Sequence, residues 1–184
     1  AAAGIILAAM TACQYESTGR SGSFATSYVE VSKDDPRYFV LSDGTPYIPV
    51  GCNIAAMSSP EDIRMYTDSL AANGCNFARV WLNSALFEVQ TEYGKINEAN
   101  VGNIRLLLKE AEAKGIKLKL CIESFRHILP GKNKWDTKAS YHVSNGGPFE
   151  SAEEFILSRK GHDEYLRRLE ILKDIFGDSP AGIE

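Results

Sequence analysis

Between residues 38 and 184, short unbroken apolar runs trade places with longer stretches in which apolar side chains recur every three to four positions. The first pattern is that of buried strands, the second that of helices with one buried face. The apolar runs 38–41 and 46–53 flank Ser42, Asp43, Gly44 and Thr45. Asp-Gly between two such runs predicts a hairpin, whose second arm is expected to run on as the first strand of a larger sheet, ending at Asn53. Ser59, Pro60 and Asp62 then predict a capped helix start, with Ile63, Tyr66 and Leu70 on one face and Gly74 as its stop. Residues 77–82 read as the second strand. Asn97 and Glu98 open a second helix, with Val101, Ile104, Leu108 and Ala111 inward and Gly115 closing it. Residues 116–122 are the third strand. A loop over 124–148 follows, longer than packing needs. Ser151 and Glu154 form another capping box, and Tyr165, Leu169, Leu172 and Ile175 continue a helical stretch up to Gly177. Residues 181–184 are expected to begin a fourth strand.

This alternation predicts an α/β fold, a parallel sheet with helices packed outside it. An N-terminal β-hairpin and three βα units are expected, the first part of a TIM (β/α)8 barrel truncated before strand 4. Such a barrel takes ~250 residues, against 184 here. A doubly wound sheet also uses more strands than this, and an open parallel edge is rarely left uncovered. The chain is therefore expected to be an N-terminal fragment, with residues 28–184 as its barrel part.

Residues 3–12 form an apolar run ending in Thr11 and Ala12 before Cys13. The run is too short to span a bilayer and has the length of a signal-peptide core. A cysteine after small residues looks like a bacterial lipobox, so Cys13 is expected to carry a lipid. Residues 1–13 then read as a signal-peptide remnant, and 14–27, rich in Ser, Thr and Gly, as a flexible tether. The other reading of this segment is a buried N-terminal helix. Export follows from the first: a lipoprotein at the periplasmic or cell-surface side, held to the membrane by its lipid alone.

The formal net charge of -4, with no basic stripe, gives no support for nucleic-acid binding. Cys13, Cys52, Cys75 and Cys121 form no C-x-x-C pair, and none has a histidine at ligand spacing, so no metal site is expected. Cys52, Cys75 and Cys121 sit in or beside apolar runs and read as small core residues.

A parallel barrel keeps its chemistry where its strands end. Asn53, Arg79, Asn83, Glu123, Arg126 and His127 are the polar residues so placed. Arg79 interrupts an apolar strand, and a guanidinium there needs a partner. It either holds an active-site carboxylate ionised or makes a structural ion pair. Alternation puts Trp81 on the same side as Arg79, as a sugar-stacking platform or as core. Glu123 is a ligand contact or the ion partner of Arg79 or Arg126. A lone carboxylate is not a glycosidase, which needs a pair. His127 and His142 either touch a sugar or lie on the surface. Asn145 belongs to an Asn-Gly-Gly-Pro turn. The Lys and Glu residues of 105–114 and 159–173 read as solvated helix faces.

Taken in order, three stretches resemble glycoside hydrolase family 5 barrels of the cellulase and endo-mannanase type. The segment 39–47 leading to Gly51, Cys52 and Asn53 is similar to the start of those barrels. Residues 76–81, Asn-Phe-Ala-Arg-Val-Trp, are similar to their second strand, and 145–155 with 176–181 to the approach to strand four. The resemblance covers roughly residues 28 to 184. It implies a retaining hydrolase of a mannan- or glucan-type polysaccharide, with no cofactor and no metal. Its acid/base glutamate would end strand four and its nucleophile would end strand seven, both outside this sequence, so the fragment itself would be inactive. Arg79 would support the nucleophile, and Asn53, Trp81, Glu123, Arg126, His127 and Asn145 would line the sugar site. Glu123-Ser124-Phe125-Arg126-His127 departs from the cellulase-like strand three, which leaves the sugar open. The alternative is a non-catalytic surface glycan-binding lipoprotein on a degenerate barrel. An aldolase or phosphate-handling isomerase is disfavoured, since neither a strand-end lysine nor a Gly-rich phosphate loop stands in the chain.

Overall fold

The computed structural model describes residues 26–124, 128–130, 134–177 and 179–183. The expected leader, its Cys13, and Arg126 and His127 lie outside them. The described residues form two sheets. Strands β1 (Val29–Val31), β2 (Phe39–Leu41) and β3 (Pro46–Tyr47) make a small antiparallel sheet. Strands β4 (Gly51–Ile54), β5 (Phe77–Trp81), β6 (Lys117–Cys121) and β7 (Gly182–Ile183) make a parallel one, in sequence order.

The Asp-Gly turn forms as expected. The Leu41 N–H donates to Thr45 O at 2.8 Å, the Asp43 carboxylate accepts from the Thr45 N–H, and Gly44 takes φ +85°. The second arm, however, does not run on into the barrel strand. It ends at Tyr47, and residues 48–50 cross between sheets. Pro49 has no N–H to offer a ladder. The Asn76 side chain replaces the ladder by accepting from Val50 N (2.7 Å) and donating to Ile48 O (3.0 Å). Gly51 then lets β4 approach β5, since a Cβ there would lie 1.7 Å from the Phe77 carbonyl oxygen. Strand β1 has no counterpart in the sequence reading.

The helices follow their caps. Helix α1 (Pro60–Ala72) has Pro at its start and the full Ser59/Asp62 capping box, and buries Ile63, Thr67 and Leu70. Helix α2 (Glu98–Ala113) is capped by Asn97 and buries Val101, Ile104, Leu107, Leu108 and Ala111. These faces pack on Ala78, Val80, Ile116 and Leu118 in one core. Each fully buried Leu or Ile there contributes about 1.5–3 kcal/mol. The other face of β5 carries Phe77, Arg79 and Trp81, all half-buried. Helices on one face of a parallel, sequentially ordered sheet are compatible with part of a (β/α)8 barrel.

The long loop is itself folded. It forms helix α3 (Trp135–Lys138) and a 3-10 turn (Val143–Asn145). Together with helix α4 (Ala152–Leu157) it encloses a second core of Trp135, Tyr141, Phe149 and Phe155. The Phe155 ring stacks on Tyr141 at 4.5 Å and meets Trp135 at 5.3 Å. The expected single helical stretch is two helices. Ser158 ends α4 and caps α5 (Arg159–Phe176) through its hydroxyl, which accepts from Gly161 N.

Two further expectations change. Cys52 is exposed rather than core. It lies on β4, which pairs on one side only among the described residues, and no described element covers it. Ser27, the last residue of the expected tether, is buried, and its carbonyl accepts from Lys117 Nζ. The same ammonium donates to Pro180 O at 2.8 Å, and burial pushes its pKa down.

Candidate functional site

Three of the strand-end residues come together. The β4–β5 register sets Asn53 beside Arg79, and alternation along β5 brings Trp81 to the same face. The Trp81 Nε1–H donates to Asn53 Oδ1 at 3.1 Å. The Arg79 guanidinium lies over the indole, 4.4 Å from its centroid, a cation–π contact. Its Nε–H donates to Cys121 Sγ at 2.9 Å. Among the described residues no carboxylate pairs with Arg79. The arrangement offers a fixed aromatic ring, an amide and a positive charge on one surface.

Glu123 belongs to a different cluster. Its ion partner among the described residues is not Arg79 but Arg168 on α5, whose Nε stands 3.0 Å from Glu123 Oε1. Arg168 also grips Glu88 with two hydrogen bonds, 2.7 and 3.0 Å, a fork-to-fork pair. The guanidinium is 2% exposed. One arginine thus faces two carboxylates, and Glu88 already neutralises it. Burial, with the neighbouring Glu88 charge, pushes Glu123 up to about 7 against the pull of Arg168. The cluster borders a cavity of about 20 Å³ lined also by Trp135 and Tyr141. Trp135 Nε1 and Tyr141 Oη are buried there without a hydrogen-bond partner, and burial raises the Tyr141 phenol.

Sequence reasoning missed Arg168 and Glu88. Arg168 had a signal, because it lies four residues before the buried Leu172 on the inward face of α5. Glu88 had none. Asn145 holds the loop together, its Nδ2 donating to Ala139 O at 2.8 Å while its carbonyl accepts from Tyr93 N. His142 bonds Ser144 Oγ at 2.7 Å and meets Trp135 edge-on. No group of His, Cys, Asp and Glu suited to a metal occurs among the described residues.

No family model matches the sequence, and no curated protein matches it. Solved structures do. The endo-1,4-β-mannanase from Rhizomucor miehei matches with TM-score 0.62 at 20% identity, over 85% of this chain and 46% of that one. The exo-β-1,4-mannosidase from Opitutaceae bacterium strain TAV5 matches with TM-score 0.50 at 19% identity, over 79% and 26%. A glycoside hydrolase family 5 structure from Bacteroides vulgatus ATCC 8482 reaches only 0.39, at 13% identity over 53% and 25%. The likeness is one of fold. It agrees with the resemblance read from the sequence, and the chain spans less than half the length of each of these enzymes.

Proposed function

We propose that this chain is the N-terminal part of an exported, retaining β-glycan hydrolase acting on a mannan- or glucan-type polysaccharide. The observation that carries the reading is the joined arrangement of Asn53, Arg79 and Trp81 at the C-terminal ends of β4 and β5. Barrel enzymes keep their sites at that end. The fold shared with the mannanase supports it. In this reading residues 28–184 supply the first three βα units of a (β/α)8 barrel. One face of the Trp81 indole is taken by the guanidinium, and we assign the other to a sugar ring. Arg79 is the fixed charge that keeps a nucleophilic carboxylate ionised.

Retaining hydrolysis needs two carboxyl groups about 5–5.5 Å apart, flanking the scissile bond. Glu88 and Glu123 are both engaged by Arg168, so we assign the catalytic pair to parts of the protein outside this chain. The 184-residue chain then binds sugar without cleaving it. In this reading Arg126, His127 and Asn145 lie at the rim of the sugar site, Glu123 stands behind it in the grip of Arg168, and Cys13 carries the lipid anchor of an exported lipoprotein. The engagement of both loop carboxylates also favours a second reading, a non-catalytic glycan-binding lipoprotein.

Calorimetric titration of the chain with β-1,4-mannohexaose and with cellohexaose tests the shared part of both readings. Saturable heat with one of them, lost in Trp81→Ala, is expected. Equal heats for wild type and variant, or none from either sugar, would remove the site.

A further inference from the structure

The cavity beside Glu123 gathers most of the unsatisfied polar atoms of the protein. Among the described residues, four buried side-chain N or O atoms have no hydrogen-bond partner. Three of them, Trp135 Nε1, Tyr141 Oη and Arg168 Nε, belong to residues that line this one cavity. These three residues are at most 6% exposed. Arg168 Nε is ion-paired with Glu123 at 3.0 Å but makes no hydrogen bond. Buried polar groups are as a rule satisfied, by protein or by ordered water, so three orphans around one hollow point to a common partner.

Size and chemistry select that partner. The cavity measures about 20 Å³, more than the ~10–15 Å³ that one water needs and too little for a sugar or any larger molecule. A metal cation would meet the Arg168 guanidinium, and an anion would meet Glu88 and Glu123. The indole and guanidinium N–H groups only donate, a carboxylate only accepts, and the phenol does either. One water matches this set: it accepts from Trp135 Nε1 and Arg168 Nε and donates to Tyr141 Oη and the Glu123 carboxylate.

We propose that the cavity is a binding site for a single ordered water that latches the loop core to the barrel side of the molecule. Trp135 and Tyr141 belong to the loop core, and Glu123 and Arg168 stand at the end of β6 and on α5. The water therefore carries hydrogen bonds from one to the other. This inference does not depend on the glycan reading.

The test pairs two NMR measurements on the chain. A long-lived water is expected to give a nuclear Overhauser effect on the Trp135 Nε1–H of the wild type, which bulk solvent does not reach. Hydrogen exchange is then compared between wild type and Tyr141→Phe, a substitution that keeps the ring and its packing on Phe155. If Tyr141 Oη is bonded to the water, its loss weakens the latch. The Phe149 amide, which donates to Tyr141 O, should then exchange about fivefold faster, with the amides of helix α2 unchanged. If the hydroxyl has no partner, removing it relieves a buried orphan, and exchange at Phe149 slows or stays the same. That result, or no effect of water on the Trp135 indole, would overturn the proposal.

Discussion

The guanidinium of Arg79 and the indole of Trp81 stack at 4.4 Å, two residues apart on one strand. Asn53 on the neighbouring strand fixes the same indole through its N–H. A tryptophan held from two sides is pre-organised, and a ligand that stacks on it loses little side-chain entropy.

Fluorescence reads this directly. The chain has two tryptophans, Trp81 and Trp135, and Trp135 is 1% exposed in the loop core. A β-1,4-linked oligosaccharide is expected to change the emission of wild type and of Trp135→Phe, but not of Trp81→Phe. A change that survives in Trp81→Phe would place the ligand elsewhere.

Arg168 is the keystone of the region behind the site. Arg168→Met leaves Glu88 and Glu123 without their cation, and breaking a buried pair in this way costs about 3–5 kcal/mol. In a protein of this size that lowers the melting temperature by roughly 10 °C. Adding Glu88→Gln and Glu123→Gln should recover much of the loss. Calorimetry on the single and triple variants decides it: equal melting temperatures for the two would refute the ion-pair argument.

Glu123 sets a pH dependence. Its pKa is raised from 4.5 to about 7, chiefly by burial and with help from Glu88, while Arg168 opposes. A carboxyl raised on folding binds its proton more tightly in the native state. Its contribution is full below about pH 4.5 and is lost as pH rises through about 7. Denaturant titrations at pH 5 and pH 8 should therefore show wild type losing stability relative to Glu123→Gln. A difference that is constant with pH would mean that Glu123 is ionised throughout.

Lys117 fastens two ends of the described chain, donating to the carbonyls of Ser27 and Pro180 from a 1% exposed position. Lys117→Met leaves both carbonyls short of a charged donor, at about 1–3 kcal/mol each. Hydrogen exchange should speed up at the Leu118 amide, which donates to Ala181 O, more than in helix α1. Uniform acceleration would point to a global effect instead.

Much of the fold was legible because local signals and burial agree. The Ser59/Asp62 box, the Asn97 cap and the inward faces at Ile63, Leu70, Ile104 and Leu108 are all local patterns, and all form. What escaped depends on distant partners. The hairpin arm and the first parallel strand look continuous in sequence, and only the Asn76 clamp from 26 residues away shows where they divide. Strand β1 is three residues long and shows little burial, which gives no periodicity to read. The exposure of Cys52 depends on what covers β4, which no local pattern contains. At the site, the joining of Asn53, Arg79 and Trp81 was readable from alternation and strand order. The tie of Glu123 to Arg168, and of Arg168 to Glu88 across 80 residues, was not.

The most direct test of the glycan-hydrolase reading is reducing-sugar release from β-mannan and from β-glucan. The protein to assay is the product of the reading frame that contains this chain, expressed to its own stop codon, alongside Arg79→Ala. Release by the wild type from one of the two polymers is predicted, falling by about a hundredfold or more in the variant as the transition state loses a charged partner. Release that is indifferent to Arg79 would contradict the role given to this residue. No release from either polymer, from a protein that still binds the hexaose, would contradict hydrolysis and leave glycan binding as the function.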